Sequence, residues 1–150
     1  MLVNVTTSSV INASVEQVWA KVRDFNGLPD WYPSVIESHI ENNQPSDKIG
    51  CIRSFNREDG LTLREQLLGL DEQKHVCTYL LLEPNKPMED YICTLRLLPI
   101  TDGDRTYIEW LADFKCLPEE EPELRQNLEQ VFQVGFDALN KIFSRRKLFH

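Results

Sequence analysis

At 150 residues the chain has the length of one domain, in which about two thirds of the unfolded surface can be buried. Its 41% hydrophobic and 27% charged content is that of a soluble globular protein, and its longest apolar run, Tyr79 to Leu82, falls far short of the ~20 residues that span a bilayer. A net charge of -8, from 16 basic and 24 acidic residues, speaks against nucleic acid or anionic membrane as partners, since both need a basic face.

In chain order, Val3 to Ile11 reads as a strand rich in Val, Thr and Ile. Ser14 caps the helix that follows, with Gln17 at the capping-box position. Val15, Val18, Trp19 and Val22 recur at helical spacing, Phe25 continues the stripe, and Asn26-Gly27 ends it. Pro29 opens a second short helical turn, and Trp31-Tyr32-Pro33 forms an elbow.

Six extended segments come next: Val35 to Glu41, Ile49 to Phe55, Leu61 to Leu70, His75 to Leu82, Tyr91 to Leu98 and Thr106 to Cys116. Polar, Gly- or Pro-containing turns separate them, which predicts an antiparallel meander. The last element is a helix from about Glu120 to Lys147, ~40 Å long at 1.5 Å per residue. Leu124, Leu128, Val131, Phe132, Gly135, Leu139, Ile142 and Phe143 make its apolar stripe. Acidic residues open this helix and Arg145-Arg146-Lys147 close it, as the helix dipole favours. No internal repeat interrupts residues 1–150, which read as a single domain.

Cys51, Cys77, Cys93 and Cys116 are widely spaced, form no CxxC pair and fall in strand segments, where free cysteine packs as a small hydrophobe. They are expected to be structural, with no metal site. Met1 to Ile11 lacks the basic start and apolar core of a secretory signal, so a cytoplasmic location is expected. No Gly-rich phosphate loop, HExxH or Ser-His-Asp pattern is present, and no cofactor is expected.

Three signatures carry a resemblance. Val18-Trp19 through Phe25-Asn26 leads to Trp31-Tyr32-Pro33; Leu63-Arg64-Glu65-Gln66-Leu67 is followed by Leu70-Asp71-Glu72; and Ile108 to Phe114 reads IEWLADF. In this order they resemble the SRPBCC, or START-like, superfamily, and in particular its polyketide cyclase/dehydrase-like branch. The resemblance implies an α+β helix-grip fold: a curved seven-stranded antiparallel sheet around a long C-terminal helix, with two short helices after the first strand. It also implies an internal cavity for a hydrophobic small molecule such as a lipid, a polyketide-like chain or an aromatic compound. Plant hormone receptors of this fold resemble the Asn12 to Pro33 stretch. Their gate loop is replaced here by Asn56 to Gly60, their latch has no match in Lys86 to Asp90, and their pocket lysine falls at Tyr32. These departures speak against a hormone-receptor role.

Strand alternation assigns the inward residues. Trp110, Ala112 and Phe114 form the apolar set of the last strand, Tyr91, Cys93 and Leu95 face them next door, and Tyr79 and Leu81 continue the surface. On the earlier hairpin, Leu63, Glu65 and Leu67 face Cys51, Arg53 and Phe55. A carboxylate and a guanidinium among apolar neighbours are expected to interact, since leaving either unpaired costs several kcal/mol. The pair has three readings: an ion pair that holds the hairpin in register, an anchor for a ligand's polar group, or, at Glu65, a proton donor or acceptor. Tyr32, Tyr79, Tyr91 and Trp110 offer apolar bodies with polar tips to a ring-containing ligand. Gly135 either leaves room for that ligand or lets Trp110 pack closely. The expected ligand-binding set is therefore Tyr32, Arg53, Phe55, Leu63, Glu65, Tyr79, Tyr91, Trp110, Phe114, Val131 and Gly135. Binding is the leading function. A cyclase or dehydratase using Glu65 or a tyrosine is one alternative, and a protein-interaction module using the sheet or the Phe149 tail is another.

Overall fold

In the computed structural model, residues 1–83 and 85–148 are described, with side chains to Ser144. Strand β1 (Leu2–Ile11) leads to helix α1 (Val15–Val22), a 3-10 turn (Leu28–Asp30) and strand β2 (Val35–Ile40). A second 3-10 turn (Glu41–Asn43) precedes the meander β3 (Ile52–Arg57), β4 (Thr62–Asp71), β5 (Val76–Glu83), β6 (Glu89–Ile100) and β7 (Arg105–Lys115). A third (Pro118–Glu120) introduces helix α2 (Glu121–Leu148). All seven strands form one antiparallel sheet in the order β1-β7-β6-β5-β4-β3-β2. The first strand thus joins the last, and α2 packs against the curved sheet. This is the expected helix-grip layout.

The local chemistry explains most of the boundaries. Ser14 and Gln17 form the reciprocal capping box that starts α1. The helix stops at Val22, earlier than the stripe through Phe25 predicts, because the Asp24 carboxylate accepts the Asn26 N–H at 3.1 Å and bends the chain into a turn. Phe25 is still buried, but from that turn. Strand β3 begins at Ile52 rather than Ile49: Gly50 has a φ of +95°, and Ile49 is exposed. Strand β6 is longer than expected and runs through Pro99 to Ile100, where it pairs with Arg105.

Along β7 burial alternates residue by residue, placing Trp110, Ala112 and Phe114 inside. On α2 the buried stripe is Leu128, Phe132, Gly135, Phe136, Leu139 and Phe143. Its centre is Phe136, fully buried and absent from the expected stripe, whereas Val131 is 42% exposed. Four free cysteines are all buried in the sheet or at its margin. Among the described residues no helix is long and apolar enough to cross a membrane. Phe149, the Arg145-Arg146-Lys147 side chains and Pro84 lie outside what is described.

Candidate functional site: a cavity with a buried ion pair in its wall

Under the open side of the grip lies a cavity of about 550 Å³, enclosed by the β3 to β7 face, the elbow and α2. Its wall is mostly apolar, and its size is that of a small-molecule site. Of the expected set, Tyr32, Arg53, Phe55, Leu63, Glu65, Tyr79, Tyr91, Trp110 and Val131 line it. Phe114 and Gly135 do not. Phe114 is fully buried behind Tyr91, ring centres 6.1 Å apart, so it supports the wall from outside the cavity. Gly135 faces rings: a Cβ there would sit 2.7 Å from Trp110 and 3.3 Å from both Trp31 and Tyr32. It serves close packing, and leaves no room beside it.

The polar floor follows from strand register. Arg53 and Glu65 stand directly opposite each other on β3 and β4, with Phe55 opposite Leu63 one step along that face. Arg53 Nε and Nη2 both donate to Glu65 Oε1, at 2.9 and 2.6 Å. Arg53 Nη1 donates to the Phe25 carbonyl at 3.0 Å. The guanidinium lies 4.1 Å from the Phe25 ring centre and 4.8 Å from that of Tyr79, within cation–π range of both. Both partners are only 6% exposed. Burial pushes the Glu65 carboxyl above its usual range, against the opposing pull of Arg53. Beside the carboxylate, Arg53 keeps its charge.

The second carboxylate oxygen differs. Among the described residues Glu65 Oε2 accepts no hydrogen bond. It is not one of the buried oxygens without a partner, which among the described residues are Asn26 Oδ1 and Ser38 Oγ, so it is open to the cavity, where water or a ligand can donate to it.

Further along the wall, Trp110 Nε1 donates to the Tyr79 hydroxyl and Cys93 Sγ to the Tyr91 hydroxyl, each at 3.0 Å. Burial raises both phenols well above their ordinary value and the Cys93 thiol to about 12, so all three hold their protons. Tyr32 donates to the Val131 carbonyl at 2.8 Å, which fastens the elbow to α2 beside the cavity. Burial takes its phenol to about 12.

The wall also contains residues that the strand pattern did not single out as a site. Leu28 and Val35 bracket the elbow, Leu128 and Phe132 come from α2, and Met88 from the turn before β6. Leu128 and Phe132 already stood in the helical stripe; Met88 lies outside any periodic run. At the rim, Arg57 pairs with Asp59 and Lys86 with Glu89. The Glu58 N–H donates to the Ser34 carbonyl at 2.8 Å, tying the β3–β4 turn to the elbow.

Several solved structures share this fold. XoxI from Bacillus cereus superposes with a TM-score of 0.85 at 26% identity, over 98% of each chain. A Bacillus thuringiensis protein gives 0.84 at 26% identity, over 94% of this chain and 98% of that one. A Thermobifida fusca protein gives 0.85 at 27% identity, over 95% and 93%. Residues 3–143 match the family described as polyketide cyclase / dehydrase and lipid transport, which takes in both the sheet and the helix that encloses the cavity. The chain belongs to that SRPBCC-type family.

Proposed function

We propose that this protein binds a hydrophobic small molecule in the cavity, as a carrier, sensor or store, and works in the cytoplasm. The observation that carries the reading is the combination of a mostly apolar space of about 550 Å³ with a carboxylate in its wall, one oxygen of which accepts from no described residue and stays open to the cavity. The family description, which includes lipid transport, is compatible with this reading, and free buried thiols suit a reducing compartment. A purely protein-docking role gives no reason for the cavity.

Native mass spectrometry of the protein purified without delipidation tests the proposal. The expected result is a bound lipid or aromatic compound, released on denaturation and displaced by an environment-sensitive dye. Protein that carries no adduct and takes up no dye would overturn it. The raised carboxyl of Glu65 supports a second reading, in which the same residue moves a proton in a cyclase or dehydratase step. That reading requires turnover of the co-purified compound and its loss in Glu65→Gln.

A further inference from the structure

Three of the five N–H groups of Arg53 are engaged inside the protein, by Glu65 Oε1 and the Phe25 carbonyl, which leaves one on Nη1 and one on Nη2. The pair is therefore close to neutral as it stands. What the floor has left over is a pairing of an acceptor, Glu65 Oε2, with two Arg53 N–H donors, all on residues that line the cavity. Resting on the reading of the cavity as a ligand site, we infer that it selects a neutral hydroxyl compound, an alcohol or phenol whose O–H donates to Glu65 Oε2, over the matching carboxylate, amine or ether.

Each competitor fails for a separate reason. A carboxylate would set a second anion beside Glu65 with one guanidinium between them, and like charges in a buried site disfavour ionisation. An ammonium would set a second cation beside Arg53, after losing a strong hydration shell. An ether could accept from a remaining Arg53 N–H but, like a hydrocarbon, has no proton to give, so it would displace water from Glu65 Oε2 and leave that oxygen unmet. A hydroxyl does what these groups cannot: it donates without bringing charge, and its own oxygen can still accept. Tyr91, on the same wall, receives a bond from Cys93 and keeps its phenolic proton for such an acceptor. The rim does not reverse the preference, because Arg57 and Lys86 are each paired with a neighbouring carboxylate.

The test is a matched ligand series on the intact protein: naphthol, methoxynaphthalene, naphthoate and aminomethylnaphthalene, all substituted at one ring position, with naphthalene as the parent. Affinities are read by calorimetry at neutral pH. Naphthol is expected to bind about tenfold to a hundredfold tighter than the parent and the other members, the range for a hydrogen bond to a charged group. In the double variant R53M/E65L the hydroxyl advantage is expected to shrink to about threefold or less, with naphthalene still bound. Equal affinities across the series in the natural protein would sink the hydroxyl preference and leave the cavity reading standing. Tighter binding of naphthoate than of naphthol would sink the preference too, as would an advantage that survives in the double variant. Failure of every member to bind, together with a missing adduct in mass spectrometry, would remove both. The natural-protein series decides the question even if the double variant does not fold.

Discussion

The two sides of the grip are built from one sheet and one helix, yet one is solid and the other open. The solid side begins at the cavity wall itself, where Trp110 stacks on Phe132 at 4.7 Å, with Phe136 6.2 Å away and Trp31 at 5.8 Å. Gly135 permits this, because the helix backbone comes down directly onto the Trp110 ring. On the open side, β3 and β4 present an ion pair where the solid side presents rings. A single glycine lets one side close, and the ion pair lies on the side that stays open.

The largest expected effect tests the solid side. Phe136→Ala removes a fully buried ring from the stripe and should cost about 3–5 kcal/mol in urea denaturation. Leu63→Ala, on the half-buried cavity wall, should cost only about 1–2 kcal/mol, because that surface already borders a space. Equal losses would mean that the two sides are packed alike and that the contrast is wrong.

Next comes the pair itself. Arg53→Ala leaves Glu65 buried without its cation and should cost about 3 kcal/mol, the low end for a broken buried pair, since a carboxyl can take up a proton. The pH dependence has a definite sign. Because the folded Glu65 value is raised, its contribution is fully present below the unfolded carboxyl value, about 4.3, and is lost as pH rises through the folded one. Without the opposing pull of Arg53 the folded value rises further. The deficit of the variant should therefore widen from mildly acidic to neutral pH, as read from denaturation midpoints. A deficit that narrows with pH would place a different group in control.

These positions were not equally legible. Arg53 opposite Glu65 could be read from the sequence because Glu58-Asp59-Gly60 fixes the hairpin, and a register once set decides every pair along it. The inward set Trp110, Ala112 and Phe114 followed from alternation alone. Alternation gives the face but not the distance from the helix, so it could not separate Trp110, on the cavity wall, from Phe114 behind it. The Phe25 carbonyl that holds Arg53 was hidden for another reason. It points to the pair only because an Asp24–Asn26 turn ends α1 early, a choice between two local hydrogen-bond patterns that spacing does not resolve. Val131 and Phe136 show the same limit on α2: both are apolar at plausible positions, and the helix rotation about its axis decides between them.

Gly135→Ala sharpens the comparison further. Alanine should gain ~1 kcal/mol of helix propensity, but its Cβ would lie 2.7 Å from a buried Trp110 ring that also stacks on Phe132. Overpacking against a ring with no room to move costs about 1–3 kcal/mol, so the net expectation is a loss of about 1 kcal/mol. The helix should also lift from Trp110, and the readout is a change in tryptophan fluorescence together with the loss. A net gain would show slack on the solid side and remove the role given to the glycine.

The smallest effect should come from the ion pair that lies outside both regions. Glu72 accepts from Arg23 Nε at 2.9 Å and from the Trp19 indole at 2.8 Å, joining α1 to the β4–β5 turn. The Arg23 hydrogen bond, with the Trp19 contact, holds the Glu72 carboxyl below its usual range. A lowered value means that the stabilisation is present above the unfolded value and fades as pH falls through the folded one. Half the Glu72 side chain is exposed, so solvent screens most of this, and Glu72→Gln should cost less than about 1 kcal/mol at neutral pH. The amide oxygen of the variant could still accept from the indole, so what is lost is the charge. Raised salt should therefore shrink the difference between Glu72→Gln and the natural protein, while leaving the Arg53→Ala deficit nearly untouched, because screening reaches an exposed pair and not a buried one. If salt erased both deficits equally, the Arg53–Glu65 pair would have to be reached by solvent as freely as the surface one. The distinction between a cavity floor and an ordinary protein surface would then fail.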